Sequence, residues 1–356
     1  MTPLRVGLVG AGNIAAHHLP GYLEHPDRLE LAAICDLDEA LAARRAREAG
    51  VRAVYTDAQT MIRDAGIDAV DVCTVPDQHL PVARAAIEAG KHVLVEKPFA
   101  ITLAGCRALA DAAELARVTL MVAQNQRFLP PYRAAKTLLE SGELGAIRSV
   151  RFDSMQCWPA LFPPGHWHYD GSRAGGGVVI SVAVHRIDLI RYLVGDVVRV
   201  SAVCRTTRPE YVNGAEDQAI ATLELANGAL AEMFATSSAY RMPWSESFMI
   251  FGDEGTLHAA PAPGNIRGPA VVASKMRTPP AREWLDQVEG FETLEIDRDG
   301  LPSDSGQVNE LLHFAECCRT GNEPISSGRD NIETMKIVFG IYESSRRGVP
   351  VTLAEL

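Results

Sequence analysis

Several things are missing from this chain, and each absence removes a class of protein. No two of its seven cysteines stand as a C-x-x-C pair, and most of them (35, 73, 106, 157, 204, 317 and 318) lie in apolar runs. That excludes the common zinc framework and a disulfide scaffold, and buried thiols in a reducing compartment are expected instead. No apolar run approaches the roughly 20 residues a membrane span needs. The N-terminus is no basic region leading into a signal-peptide segment, so the cytoplasm is the expected compartment. Positive charge is in deficit: 34 Lys and Arg stand against 45 Asp and Glu, a net charge of −11. Neither nucleic acid nor an anionic membrane is expected as a partner. Internal repeats and low-complexity segments are also lacking. What remains is an ordinary soluble composition, 47% hydrophobic and 22% charged, over 356 residues. That length suffices for two domains with real cores.

The first 36 residues carry the strongest positive signal. An apolar run, Leu4 to Val9, meets Gly10, Gly12 and Ala15 in the spacing G-x-G-x-x-A. A helix-length segment follows, and then a second apolar run, Leu29 to Cys35, ends in Asp36. Gly10 permits the turn off the strand, Gly12 lets backbone approach a pyrophosphate, and Ala15 lets the helix sit close on the sheet. The phosphates then meet the N–H groups at a helix N-terminus. Asp36 closes the second strand, where a carboxylate accepts hydrogen bonds from ribose hydroxyls. A carboxylate there repels a 2′-phosphate and no arginine follows it, so NAD is favoured over NADP. The plainer alternative is that Asp36 caps the next helix, a task Asp38 could perform equally well.

Apolar runs at 4–9, 29–35, 69–75, 91–95 and 119–123 alternate with Ala-rich helical segments at 39–49 and 82–89. This is the pattern of parallel strands buried on both faces, a doubly wound sheet whose ligands bind outside the strands' carboxyl ends. Those ends carry Asp36, Thr74-Val75-Pro76, Glu96-Lys97-Pro98 and Gln124-Asn125. After residue 125 the pattern changes. Strands are expected at 147–156 and 198–206, with hairpins at 219–237 around Asn227-Gly228 and at 247–258. A Pro/Ala-rich loop is expected at 259–283, then two helices near 306–320 and 329–347. The fold class is α/β: an N-terminal Rossmann domain, 1–125, and a C-terminal α+β domain, 126–356, with a large open, mostly antiparallel sheet.

Two clusters could carry chemistry. Lys97 directly follows a buried strand, and a lysine desolvated beside a positively charged nicotinamide loses proton affinity, as a general acid/base requires. Glu96 could hold its ammonium, and the Lys97-Pro98 bond is a candidate for cis. The bland reading is a surface lysine at a strand end. The second cluster follows Gly175-Gly176-Gly177. Ser181, His185 and Asp188 share one face of the helix expected there, and Asp188 could fix the imidazole tautomer. A histidine among apolar neighbours can equally be a satisfied core residue. His166 and His168 form an H-x-H, but no cysteine or carboxylate cluster completes a ligand set, so no metal is expected.

These residues resemble the Gfo/Idh/MocA oxidoreductase family, which includes glucose–fructose oxidoreductase and inositol 2-dehydrogenase. The likeness runs nearly end to end. It covers VGLVGAGNIAAHH, the TVPDQH to AGKHVLVEKP block, Asn125 with Arg127-Phe128, and the GGG to HRIDL helix. The closing F-x-x-C-x-x-x-G-x-E-P-I-S-S-G-R-D and Y-E-S-S-x-x-G belong to it too. The resemblance implies that Lys97 is the catalytic lysine and that His185 contacts the reacting hydroxyl. It implies an NAD site lined by Gly10, Gly12, Asn13, Ile14, Asp36, Thr74, Pro76, His79, Glu96, Lys97 and Asn125. Arg127 and Trp167, with Ser181 and Asp188, would bind substrate, and homodimers or homotetramers are implied. One residue departs from the pattern. Catalytic members usually carry Asp four residues before the histidine, where this chain has Ser181. The expected function is NAD-dependent hydride transfer at a secondary alcohol of a sugar, polyol or sugar derivative. The rivals are a dinucleotide-binding regulator without turnover and another redox reaction on the same scaffold.

Overall fold

The computed structural model describes residues 2–240, 245–261, 271–277, 292–293 and 301–356. Two compact units divide the chain. The first comprises Met1–Phe128, Ser172–Gly175 and Leu301–Met335, and the second Leu129–Gly171, Gly176–Gly300 and Lys336–Leu356. The single cut expected at residue 125 therefore captures only part of the path, because residues 301–335 return to the first unit.

In the first unit, six parallel strands form one sheet: β1 (Leu4–Val9), β2 (Leu29–Cys35), β3 (Ala53–Tyr55), β4 (Ala69–Val72), β5 (His92–Glu96) and β6 (Leu120–Ala123). Their order is β3-β2-β1-β4-β5-β6, so the winding reverses between β1 and β4 and opens a crevice at the strands' carboxyl ends. Strands β1, β4, β5 and β6 are almost wholly buried, as their continuous apolar runs require. The helices between them are α1 (Asn13–Glu24), α2 (Glu39–Ala49), α3 (Ala58–Asp64), α4 (His79–Glu88) and α5 (Leu103–Ala116). The three-residue β3 has too little periodicity to be read from sequence. Helix α4 begins at His79, three residues earlier than expected, because a turn over Pro76–Gln78 runs straight into it.

After α6 (Pro130–Glu140) and α7 (Val184–Leu193), the chain ends with α8 (Gly306–Thr320) and α9 (Gly328–Arg347). Helix α8 explains the return to the first unit. Val308, Leu311, Leu312 and Phe314 join Val6, Leu8, Ile34 and Leu94 in one buried cluster. Burying such side chains contributes about 1.5–3 kcal/mol each.

The second unit holds a nine-stranded sheet among the described residues, ordered β14-β13-β12-β11-β7-β10-β9-β8-β15. The strands are β7 (Ile147–Met155), β8 (Val197–Arg205), β9 (Gln218–Leu225), β10 (Leu230–Thr236), β11 (Phe248–Gly252), β12 (Gly255–Pro261), β13 (Val271–Arg277), β14 (Glu292–Thr293) and β15 (Val351–Thr352). Its pairs are antiparallel except for β7 with β10. The loop expected over 259–283 is corrected in part: 259–261 and 271–277 are strand, and the rest of that stretch lies outside the described residues. Strand β9 alternates strictly between buried and exposed, with Ala219, Ala221, Leu223 and Leu225 inward, as a half-buried sheet demands.

Candidate active site

The glycine turn after β1 is built for an anion. Gly10 has φ +94°, and a Cβ there would lie 2.5 Å from the Cys73 carbonyl oxygen. Gly12 is different, because nothing lies within 4 Å of the Cβ it lacks. That open space adjoins the start of α1, where no side chain caps the helix and no acidic residue occupies the first turn. Unpaired N–H groups at such a terminus favour a phosphate. Asn13 is exposed there and Ile14 half-buried. The buried Arg45 of α2 holds the loop from beneath, donating to the Ala11 and Gly12 carbonyls at 3.3 and 3.1 Å.

Asp36 and Asp38 divide the work that sequence alone left open. Asp38 caps α2, accepting from the Ala40 and Leu41 N–H groups. Asp36 accepts one bond at each oxygen, from Ala11 N at 2.7 Å and from Asp38 N at 2.9 Å. The carboxylate is thus fixed beside the glycine turn, with lone pairs remaining for ribose hydroxyls.

At the ends of β4 and β6, buried polar atoms lack partners within the protein: Thr74 Oγ1, both amide atoms of Gln124, and Asn125 Oδ1. Buried polar groups are almost always bonded, so this edge fits a ligand rich in hydrogen-bonding groups. The residues present therefore fit a bound dinucleotide. Lys97 is half-buried and Pro98 fully buried, and the bond between them is cis.

Two residues expected at the ligand are bonded to the scaffold. His79 is buried, with Nδ1 2.7 Å from the Pro98 carbonyl and Nε2 3.1 Å from the Thr74 carbonyl. Burial lowers its proton affinity, and the ring braces the Thr74–Pro76 turn. Arg127 is 3% exposed. It donates to the Ile325 carbonyl and pairs with Asp330 at 2.8 Å, which ties it to the start of α9.

In the second unit, the segment after the glycines is not the plain α-helix expected. A wider π-turn spans Val179–Ala183 before α7 begins, and such turns recur at functional sites. Of residues 176–190, all are buried except His185, which is half-buried. Ser181 and Asp188 are 7% and 1% exposed. The triple glycine serves close contact, not flexibility. A Cβ at Gly177 would lie 1.8 Å from the Glu216 carbonyl oxygen, and one at Gly176 would lie 2.2 Å from the Tyr342 hydroxyl. Trp167 is half-buried and lies 3.6 Å from the His168 ring, stacked at 23°. His166 and His168 do face each other, with their Nδ1 atoms 2.9 Å apart.

Glu216 and Tyr342 escaped the sequence reading. The Glu216 carboxylate accepts from Gly177 N at 2.7 Å and Val179 N at 2.8 Å. Its carbonyl accepts from Val178 N at 2.9 Å, and Ile180 N donates to the Tyr342 hydroxyl at 3.2 Å. Four consecutive N–H groups are thereby satisfied. Burial holds the Glu216 carboxyl up at about 7 against these donors. The Y-E-S-S motif contained Tyr342, but nothing local marked its partner 126 residues away.

A glycine turn opening onto a free helix N-terminus, with a carboxylate fixed beside it and a lysine at the end of β5, is the arrangement of a dinucleotide-dependent oxidoreductase. Comparison with known proteins makes the class specific. Residues 4–124 match the oxidoreductase family with an NAD-binding Rossmann fold, and residues 132–258 match the GFO/IDH/MocA C-terminal domain. The chain belongs to the Gfo/Idh/MocA oxidoreductase family. It is 34% identical to levoglucosan dehydrogenase of Pseudarthrobacter phenanthrenivorans over 286 residues, covering 72% of this chain and 73% of that one. It is 29% identical to D-apiose dehydrogenase of Paraburkholderia graminis, over 98% and 89% of the two chains. A solved levoglucosan dehydrogenase in complex with NADH and L-sorbose superposes with a TM-score of 0.87 at 28% identity, covering 99% of both chains. No helix among the described residues is long and apolar enough to cross a membrane.

Proposed function

We propose that this protein is an NAD-dependent dehydrogenase acting on a secondary alcohol of a sugar, polyol or sugar derivative. Lys97 is the general acid/base and His185 shares the proton with it. The observation that carries the reading is the set of buried, unpartnered polar atoms at Thr74, Gln124 and Asn125 beside Lys97's strand end. The sugar and polyol dehydrogenases among its relatives support it. NAD when bound supplies the hydride acceptor. The chain's own residues do the rest. Asp36 holds the ribose, the α1 N-terminus holds the pyrophosphate, and Lys97 Nζ removes the hydroxyl proton. His185, the one residue of its segment open to solvent, orients the hydroxyl. Trp167 walls the sugar. Homodimers or homotetramers form through the outward face of the second sheet, where Val203, Ile220 and Leu230 are at least half exposed.

Purified protein with NAD and a panel of levoglucosan, apiose, inositols and aldoses tests this by NADH absorbance. Turnover of at least one member is expected, and Lys97→Ala lowers kcat by ~10²–10⁴-fold, the usual worth of a general acid/base. A near-normal Lys97→Ala enzyme removes the proposed role. Ser181 favours one rival: tight NADH binding with no turnover of any substrate would make this a dinucleotide-binding regulator.

A further inference from the structure

Beneath the strand end that carries Lys97 lies a polar cluster that the proposed chemistry has not used. His18 of α1 is fully buried. Its Nδ1 stands 2.8 Å from Asp71 Oδ2, and its Nε2 stands 3.3 Å from Glu96 Oε1 and 4.0 Å from Glu310 Oε1. Tyr22, one turn along α1, donates to the same Asp71 oxygen at 2.8 Å, and the Cys73 thiol donates to the other at 3.4 Å. Glu96 Oε2 accepts from the backbone N–H of Lys97 at 2.9 Å. His79 is a further titratable side chain, and its buried ring feels the charges of both Glu96 and Lys97. Four elements thus meet at one imidazole: the phosphate helix α1, the ends of β4 and β5, and α8.

A neutral imidazole carries one N–H and one lone pair. Here both nitrogens face carboxylates, and a lone pair aimed at a carboxylate is repulsive, so the ring carries both protons. Burial pulls its proton affinity down, yet Asp71 and Cys73 together leave it well above the ordinary value. Glu310 behaves in the opposite way. Neither of its oxygens has a hydrogen-bond partner, and burial pushes its carboxyl well above the usual range, which makes it a neutral acid. The donor types also suit a metal ion. However, ligand atoms sharing a tetrahedral zinc at ~2.0–2.1 Å sit about 3.3 Å apart. Nε2 and Glu96 Oε1 keep that spacing, but Nδ1 and Asp71 Oδ2 are closer, at hydrogen-bond distance, and Glu310 Oε1 is farther, 4.0 Å from Nε2.

We propose that His18 is a positioning residue for the reaction: clamped between Asp71 and Glu96, its imidazolium keeps the Glu96 side chain aimed at the Lys97 backbone, fixing the turn that bears the acid/base lysine. This rests on the reading of Lys97 above. Without His18, Asp71 and Glu96 are buried like charges with no counter-ion, and one takes up a proton. Glu96 then loses its grip on the Lys97 N–H, and Lys97 loses an adjacent negative charge.

The test uses full-length protein with NADH bound. Histidine-selective nitrogen NMR should show one ring protonated at both nitrogens and not titrating between about pH 6 and 9. That signal vanishes in His18→Gln. The Lys97 backbone amide resonance shifts in His18→Gln and holds in Glu310→Gln. With the best substrate, the acidic limb of kcat/KM in His18→Gln moves to lower pH by about one unit, because a lysine that loses a neighbouring anion gives up its proton more readily. Glu310→Gln keeps the wild-type profile. A neutral His18 ring, stoichiometric bound metal, or a His18→Gln enzyme less stable but unshifted in profile and amide resonance would each overturn the proposal. The wild-type spectrum decides alone if His18→Gln does not fold. Wild-type protein that turns over no substrate fails the dehydrogenase reading, while the ring and amide signals still judge the clamp.

Discussion

Two helices in this protein start from a glycine turn, and their N-termini have opposite fates. The first, α1, follows Gly10 and Gly12 with no capping side chain and no acid in its first turn. The second, the π-turn and α7, follows Gly175 to Gly177, and Glu216 and Tyr342 occupy its first four N–H groups. Both termini carry the same partial positive charge. One keeps it for an incoming anion, and the other neutralises it inside the protein. A glycine turn therefore announces close backbone approach without saying what approaches. At Gly12 the space is left open, and at Gly177 it is filled by the chain's own residue 216.

Adding one methyl at each glycine sharpens that contrast. Gly177→Ala drives a Cβ into the Glu216 backbone, and neither side can yield without moving the segment that carries Ser181 and His185. Overpacking of this kind costs about 3 kcal/mol or more, seen as a Tm fall on the order of 10 °C. Gly12→Ala meets nothing in the protein. Its Tm without ligand stays close to wild type, yet NADH affinity falls by about tenfold or more, since the methyl lies where a pyrophosphate must approach. Calorimetry and NADH titration of both variants check the pair. If Gly12→Ala unfolds and Gly177→Ala does not, the two termini have been assigned the wrong way round.

The same contrast explains what the sequence let one read. Strands β1 and β2 stand where their apolar runs begin and end, and the Asn227-Gly228 hairpin joins β9 to β10, because turn and periodicity are local signals. The fold's departures are long-range. Helix α8 packs on β1 and β2 because Leu311 and Phe314 complete their core, some 300 residues downstream. Glu216 reaches Gly177 across 39 positions, and His18 joins Asp71 and Glu96 from three separate elements. Asp36 was legible since the strand–turn–helix–strand order fixes its place. The scaffold bonds of Arg127 and His79 could not be read locally, because residue type at a strand end does not reveal which buried backbone carbonyls need a donor.

Glu216 offers a smaller, pH-dependent way to probe the sealed terminus. Its carboxyl is raised to about 7 in the fold and stands near 4.3 when unfolded. A raised acid contributes stability that is fully present below the unfolded value and is lost as pH climbs to the folded one. Wild-type stability should therefore decline between about pH 4 and 7 by an amount on the order of 1–3 kcal/mol. Glu216→Gln, which keeps an oxygen for one of the two N–H donors, lacks this decline. The two proteins should match most closely below about pH 4, where the wild-type acid is neutral in both states, with the variant gaining on wild type through pH 7. Denaturation at a series of pH values reads the difference directly, and a constant gap would mean the donors, not burial, set the acid's charge.

The gentlest perturbation lies one turn further along the sealed segment. Ser181 stands where the family pattern has Asp, four residues before His185, and is 7% exposed. A hydroxyl exchanges hydrogen bonds with a sugar but offers an imidazolium no counter-charge. Ser181→Asp should raise turnover of inositol-like polyols by up to about tenfold, a small part of the ~10²–10⁴ that a full general base supplies. It should also lower Tm, because the added carboxylate enters a buried site in a terminus that Glu216 already neutralises. Gain of rate with loss of stability would mark a segment whose sealed N-terminus tolerates a second carboxylate only at His185's side. Turnover unchanged or reduced on every polyol would show instead that the pocket has been rebuilt around the serine, and that the glycine helix here serves a substrate to which an inositol-type carboxylate contributes nothing.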